Sequence, residues 1–397
     1  MIAACGQIPV AKPLLGEQEV EAVRRVILSG WVTQGPEVAA FEKEFADYVG
    51  AAHACAVSSC TTALHLALSC VGVGVGDEVI TASHSFIATA NAIRYCGAMP
   101  VFVDIEAGGY NIDPDRIEAA ITPRTKAILC VHQLGLPCDL RRVVNVGKRY
   151  SIPVIEDAAC AAGSEILWYG QWQRIGKPHG DIACFSFHPR KVVTTGDGGM
   201  LTTSSEEYDR KLRLWRQHGM SVPDTIRHGA KQVIYEDYPE FGYNYRMTDF
   251  QAAIGREQLK RLPELIARRR EIAQKYTWHL SRLAGLRTPA EPSWTRSNWQ
   301  SYCVVLPDRF DQRETMQALL DRGISTRRGV MNIHLEKAYS GSGTYRAATT
   351  LTRSVAAQRT SVILPLFAQM TDAELAHITG ELSSILGSAD PAASRTV

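Results

Sequence analysis

The sequence has little of what marks several large classes of protein. No apolar run approaches the ~20 residues that a membrane-spanning helix needs. Met1-Ile2-Ala3-Ala4-Cys5-Gly6 leads into a charged, helix-like stretch and not into the apolar core of a signal peptide, so the expected compartment is the cytoplasm. Charge of one sign is scarce in blocks. Lys and Arg number 43 against 41 Asp and Glu, for a net +2, and the longest basic run is Arg268-Arg269-Arg270, inside a helical pattern. A nucleic-acid partner would call for a basic patch, and none is expected here. The ten cysteines follow no disulfide framework. Several fall inside apolar strands, Cys130 and Cys184 among them, as buried thiols of a reducing compartment do. Cys130, His132 and Cys138 lie close in sequence, but their spacing fits no familiar zinc pattern, and no metal is expected. There is also no internal repeat.

What is present can bury a sizeable core: 397 residues, 45% hydrophobic and 21% charged. That length exceeds what one core usually fills, which predicts a large and a smaller domain. Apolar residues at helical spacing predict helices over 16–29 and 37–49. From Ala54 onward short apolar strands alternate with helices: Ala54-Cys55-Ala56-Val57, Glu78-Val79-Ile80-Thr81, Val101-Phe102-Val103-Asp104, Ala127-Ile128-Leu129-Cys130-Val131 and Val154-Ile155-Glu156-Asp157. Regular β-α-β alternation with near-continuous apolar strands predicts an α/β fold, a parallel sheet covered on both faces. Ligands of such sheets gather at the carboxyl ends of the strands, where Ser58 to Thr61, His84 to Phe86, His132 and Asp157 fall. Residues 165–181 read as an irregular connection, 219–240 as a long irregular segment, and 249–262 and 263–283 as two successive helices. The turn to Pro, Ser and Thr around Leu286 to Ser297 marks a domain junction. This divides the chain into a large domain at 1–285, a small α+β domain at 286–388 and a disordered tail at 389–397.

The most informative stretch is Ile182 to Thr203, IACFSFHPRKVVTTGDGGMLTT, which sets Lys191 on a bent loop between two strand-like runs. A lysine so placed can be a reactive amine, able to form a Schiff base with an aldehyde. It can equally solvate a hairpin. Upstream, the strand at 54–57, the small polar run Ser58-Ser59-Cys60-Thr61-Thr62 and a helix start form an order that aims amides and hydroxyls at one point, as a phosphate requires. A plain N-cap explains that run as well.

Seven motifs in one order resemble the DegT/DnrJ/EryC1/StrS family of pyridoxal-phosphate-dependent sugar aminotransferases. They are SGWVTQGPEVAAFEKEFADYVG, SSCTTALHLAL, SFIATANAI, YNIDPDRIEAAITPRTKAI, VIEDAA, FSFHPRKVVTTGDGGM and GYNYRMTDFQAAIG, within a resemblance running from Ile8 to Leu386. The resemblance implies fold type I, that of aspartate aminotransferase, with a mostly parallel seven-stranded sheet in the large domain and a small C-terminal domain. It places Lys191 at the Schiff-base position and Asp157 facing the pyridine nitrogen of pyridoxal 5'-phosphate, where an anion keeps that nitrogen protonated. Phe86 falls where the family sets an aromatic ring against the cofactor. Cys60, Thr61 and Ser186 match the phosphate cradle, and Asn244 matches a residue that reaches the phosphate from the neighbouring subunit of a homodimer. Cys160 departs from the pattern, since the family commonly carries Gln or His there, and a thiol is the weaker donor.

The activity implied is ping-pong transamination from an amino acid, glutamate or glutamine, to a nucleotide-linked keto-sugar such as a 4-keto-6-deoxyhexose. Lys191 would move the proton. Arg246, Arg327, Arg328 and His334 lie in segments that the family brings towards substrate, and arginine forks suit a diphosphate; each can also be a surface ion pair. A keto-cyclitol acceptor, or a non-catalytic cofactor-binding protein on the same fold, are the rival readings.

Overall fold

The computed structural model describes residues 7–387, so the tail expected at 389–397 lies outside the described residues. The elements run α1 (Glu17–Ser29), α2 (Pro36–Val49), β1 (His53–Val57), α3 (Cys60–Cys70), β2 (Glu78–Ala82), α4 (Ala88–Tyr95), β3 (Met99–Val103), β4 (Thr125–Val131), α5 (Leu140–Tyr150) and β5 (Val154–Asp157). There follow β6 (Glu165–Trp168), β7 (Gln171–Arg174), β8 (Ile182–Ser186), β9 (Gly199–Thr203), α6 (Glu206–Trp215), α7 (Asp224–Gly229) and α8 (Asp249–Leu280). The remainder is β10 (Thr295–Arg296), β11 (Tyr302–Val305), α9 (Gln312–Asp321), β12 (Arg327–Arg328), β13 (Arg346–Ala347), α10 (Thr352–Thr360), β14 (Ser361–Leu364) and α11 (Asp372–Gly387).

Among the described residues the main sheet has eight strands in the order β1-β9-β8-β5-β4-β2-β3-β13. Seven come from residues 53–203, and β9 alone runs antiparallel to both its neighbours. The eighth is a correction to the expected seven: Arg346 and Ala347 pair in parallel with Val101 and Phe102. A bare β3 would leave a row of unpaired backbone groups at the sheet edge, and these two residues cover part of it. One face of the sheet buries Leu64, Leu68, Ile93 and Leu212 from α3, α4 and α6. The other buries Phe41, Phe45, Val143 and Leu262 from α2, α5 and α8. Both faces being covered explains why the strands are apolar without alternation. A further core joins the three-stranded sheet β11-β14-β12 to α9, α11, Ile8 and the far half of α8.

Three expectations of local structure are corrected. Residues 249–280 form one helix that runs through Pro263, not two. An interior proline costs about 3 kcal/mol or more. Leu259, Leu262 and Leu265 around it and Ile272, Tyr276 and Leu280 beyond it are all buried, in different cores. At roughly 1.5–3 kcal/mol for each buried large side chain, that burial outweighs the lost backbone bond. The stretch 165–181 contains a hairpin, β6–β7, that also pairs with β10. Its turn is Tyr169-Gly170, with φ of 46° and 85°. Both values lie where two-residue hairpins need them, but Tyr-Gly lacks the Asn-Gly signature that betrays such turns in sequence. Finally, where the strand–helix alternation predicts a helix between the strands at 101–104 and 127–131, the chain forms two short 3-10 turns, Pro114–Arg116 and Glu118–Ala120. Among the described residues no helix is long and apolar enough to cross a membrane.

Candidate active site

The carboxyl ends of β2, β4, β5 and β8 open on one side of the main sheet, and β5 ends on Asp157. The Asp157 carboxylate accepts a hydrogen bond from Thr89 Oγ1 at 2.8 Å and another from the Ala159 amide at 3.1 Å. Thr89 and Ser85 hydroxyls lie 2.7 Å apart, so a short hydroxyl chain from the start of α4 and the turn before it backs the acid. Burial pushes the Asp157 carboxyl above its ordinary value; the hydrogen bonds of Thr89 and Ala159 and the charge of Lys191 oppose this without cancelling it. A buried acid in that state favours a cationic N–H as its partner.

Lys191 sits on the loop between β8 and β9, where its amide donates to His188 O at 2.8 Å. Its Nζ donates to Cys160 Sγ at 3.1 Å, and among the described residues it has no other hydrogen-bond acceptor. Burial pulls the Lys191 pKa down, but Cys160, Cys60 and Asp157 more than reverse this and hold it above the ordinary lysine value. Lowering by a neighbouring cation, one route to a reactive amine, is not what surrounds this lysine. Its neighbours are sulfur and a carboxylate.

A clamp from the far side of the junction fixes both loops. Asn298 Nδ2 donates to Cys160 O and Ala162 O, each at 2.9 Å. Gln300 Oε1 accepts from the Val192 amide at 3.0 Å, and its Nε2 donates to Arg190 O at 2.6 Å. The strip is held in turn by the buried Arg269 of α8, which donates to Trp299 O at 2.8 Å and Gln300 O at 2.7 Å. Burial without a carboxylate partner draws the Arg269 pKa down to about 10.

The start of α3 lies against β9. Ser59 caps the helix through the Thr62 amide, while the Cys60 and Thr61 amides have no acceptor among the described residues. A Cβ at Gly199 would stand 2.4 Å from Ser59 O and 2.8 Å from Cys60 N, so only glycine lets the helix end approach this closely. Gly199 pairs with Ser186, which brings that hydroxyl to the same corner. Free amides at a helix start beside hydroxyls suit a phosphate, the acid suits a pyridinium and the amine suits an aldehyde. The residues present therefore fit pyridoxal phosphate.

The other expected residues are spread over several elements. Ser58 N donates to Tyr245 O at 2.8 Å, and Arg246 bridges Val57, so 244–246 borders the end of β1. Arg246 Nε donates to Asn244 Oδ1 at 3.3 Å and its Nη2 lies 3.5 Å from His218 Nε2. Phe86 is 58% exposed over the β2 end. His334 Nδ1 is 2.6 Å from Ser83 Oγ, which docks its loop on the same strand end. Arg327 and Arg328 are exposed on β12 in the separate small sheet, with Arg328 paired to Glu336 at 2.9 Å; among the described residues no hydrogen bond joins them to the Lys191 group. His132 hydrogen-bonds Glu156 at 3.0 Å and accepts from the Cys138 amide, so both ring nitrogens are occupied by protein.

The residues that sequence reading passed over are Thr89, Asn298, Gln300 and Arg269. Thr89 falls four residues after Ser85 on a helix start, which is a readable signal. The strip 298–300 offered none, because a polar segment after a Pro-rich junction looks like surface.

The chain as a whole is similar to known proteins in sequence and in fold. The spore coat polysaccharide biosynthesis protein SpsC of Bacillus subtilis is 38% identical over 387 residues, covering 96% of this chain and 98% of SpsC. Helicobacter pylori PseC, an aminotransferase involved in the biosynthesis of pseudoaminic acid, superposes with a TM-score of 0.89 at 27% identity, over 96% of this chain and 100% of PseC. Streptococcus pneumoniae Spr1654, solved in a PLP form, has a TM-score of 0.87 at 28% identity, over 96% of this chain and 99% of its own. Residues 13–383 match the DegT/DnrJ/EryC1/StrS aminotransferase family, and the chain belongs to it.

Proposed function

We propose that the chain transfers an amino group from glutamate or glutamine to a nucleotide-linked keto-sugar, a 4-keto-6-deoxyhexose, with pyridoxal 5'-phosphate as cofactor. The observation that carries this reading is the Lys191 amine beside Cys160 and Asp157, next to a helix start with free amides. When bound, the cofactor supplies an aldehyde to take up the amino group and a ring to accept the electrons left at the donor's α-carbon. Lys191 Nζ would hold the aldehyde carbon. Asp157 would hold a proton on the ring nitrogen, with Thr89 fixing the orientation of the carboxylate. The amides of Cys60 and Thr61, the Thr61 hydroxyl and Ser186 would bind the phosphate, and Phe86 would cover the ring. Once released, Lys191 Nζ would carry the proton between donor and cofactor, as base and then acid. The clamp from Asn298 and Gln300 keeps the amine and the Cys160 loop from drifting during that transfer.

Arg246, Arg327, Arg328 and His334 would receive the acceptor and its diphosphate. Relatives named for polysaccharide and pseudoaminic acid biosynthesis support a carbohydrate acceptor. The working unit is a cytoplasmic homodimer in which Asn244 of one subunit completes the phosphate site of the other. In support, Val233, Tyr235, Tyr238 and Phe241 leave large apolar surface exposed just before Asn244, as an uncovered interface does. The test is incubation with glutamate or glutamine and either a nucleotide-linked 4-keto-6-deoxyhexose or a keto-cyclitol, followed by mass analysis. An amine on the sugar nucleotide is expected; amination of the cyclitol alone, or of neither, overturns the acceptor assignment.

A further inference from the structure

Lys191 Nζ and Cys160 Sγ, 3.1 Å apart, form a contact that the chain takes trouble to build. Cys160 belongs to the turn after β5, closed by the Ala161 amide donating to Ala158 O at 2.9 Å and pinned by Asn298 on the Cys160 carbonyl. Lys191 belongs to the turn after β8, pinned on either side by Gln300 through Arg190 and Val192. Gln300 N donates to Asn298 Oδ1 at 2.8 Å, so the two pins are one unit. The amine and the thiol are thereby held together by a strip that touches neither. Cys160 is half-buried, whereas Cys60 and Cys184, the other thiols nearby, are buried. Burial pushes both of those thiols well above the usual range, which leaves them poor nucleophiles towards an oxidant.

We propose that Cys160 is a modification site, at which oxidation by a peroxide joins its sulfur to Lys191 through a covalent sulfur–nitrogen bond. In the first step the thiol attacks the peroxide oxygen: hydrogen peroxide is reduced to water and the thiol is oxidised to a sulfenic acid. In the second, the Lys191 ammonium first gives up a proton to solvent; the Nζ lone pair so freed attacks that sulfur, the S–O bond breaks, and hydroxide leaves as water with a second proton from nitrogen. The sum is one thiol, one amine and one peroxide giving one sulfenamide and two waters. Two equivalents of a small thiol reverse it, returning the thiol and the amine and yielding one disulfide. The link needs only the contact described. Its consequence, an amine no longer able to take a cofactor, rests on the role proposed above for Lys191.

The experiment treats the full-length chain, cofactor-free and cofactor-loaded, with hydrogen peroxide and maps the peptides. A joined pair of peptides carrying residues 160 and 191, lighter than their sum by two hydrogens, is expected in the cofactor-free chain and less of it in the loaded one. It persists in C60S, disappears in C160S and K191R, and is undone by dithiothreitol. Cofactor binding falls in proportion to the linked fraction and returns on reduction. Oxygen on Cys160 with the Lys191 peptide free, or a disulfide from Cys160 to Cys60, overturns the proposal. If the link forms but the unoxidised chain takes up no cofactor, the role of Lys191 fails and the modification stands.

Discussion

At the inner end of the site Asp157 is buried and receives bonds from Thr89 and Ala159, while Lys191 is set by loops that Asn298 and Gln300 hold from behind. In the small sheet Arg327 and Arg328 stand exposed on a two-residue strand, Arg328 with a surface pair to Glu336. Groups at the inner end are over-determined by packing and hydrogen bonds; the exposed arginines of the small sheet are free to change rotamer and partner. Chemistry that must place a proton to a fraction of an ångström needs the first kind of support. Recognition of a large, flexible, charged acceptor is compatible with the second.

Replacing Asp157 by Asn should produce the largest contrast. Turnover is expected to fall on the order of 10²–10³-fold, as on removal of one preorganised electrostatic group. Stability should move the other way. The folded chain holds the Asp157 proton to a higher pH than the unfolded chain, whose value is near 3.8, so ionising this buried acid costs stability as pH rises beyond that value. The cofactor-free D157N protein should therefore melt at or above the parent at pH 7, and the difference should vanish on acidification towards that ordinary value. A lower melting temperature at pH 7 would mean that the acid is a structural anchor, and the comparison of the two regions would break.

The clamp comes next. Asn298→Ala leaves every group at the inner end in place but unties the Cys160 turn, and a displacement of about 1 Å in the reacting atoms costs roughly 100-fold in kcat. The crystal structure of the variant should have a longer Cys160 to Lys191 separation; an unchanged separation with lost activity would assign Asn298 some other part. Thr89→Val should loosen cofactor retention by about tenfold in Kd, the worth of one hydrogen bond to a charged group, with rescue in Thr89→Ser. Smallest is Arg328→Gln. It should raise KM for the keto-sugar about threefold, leave the donor half-reaction alone, and shift stability by less than about 1 kcal/mol. Equal damage to both half-reactions would show that the small-sheet side is as tightly built as the inner end.

The same contrast governs what could be read in the sequence. The sheet was legible because its strands are covered on both faces, and continuous apolar runs such as Ala127 to Val131 have no other explanation. Lys191, Asp157 and the Ser58 to Thr62 run were legible because they fall at the ends of those runs. The clamp was not, since Asn298 and Gln300 act through backbone carbonyls and amides far away in sequence. Helix α8 reads as two helices in sequence because Pro263 is a local signal, whereas the burial that overrides it comes from two separate cores. For Arg246, Arg327, Arg328 and His334 the residue types fit an acceptor, but their settings differ: Arg246 and His334 are half-buried and bonded to Asn244 and Ser83, whereas Arg327 and Arg328 are exposed.

The central claim is that the Lys191 amine is the group that takes the cofactor aldehyde. Reconstitution of the full-length chain with pyridoxal phosphate, reduction with borohydride and peptide mapping tests it directly. The phosphopyridoxyl mass should lie on residue 191 and nowhere else, at one per chain, and Lys191→Ala should retain none. The mass on another lysine, or a chain that stays colourless and unlabelled, would contradict the account.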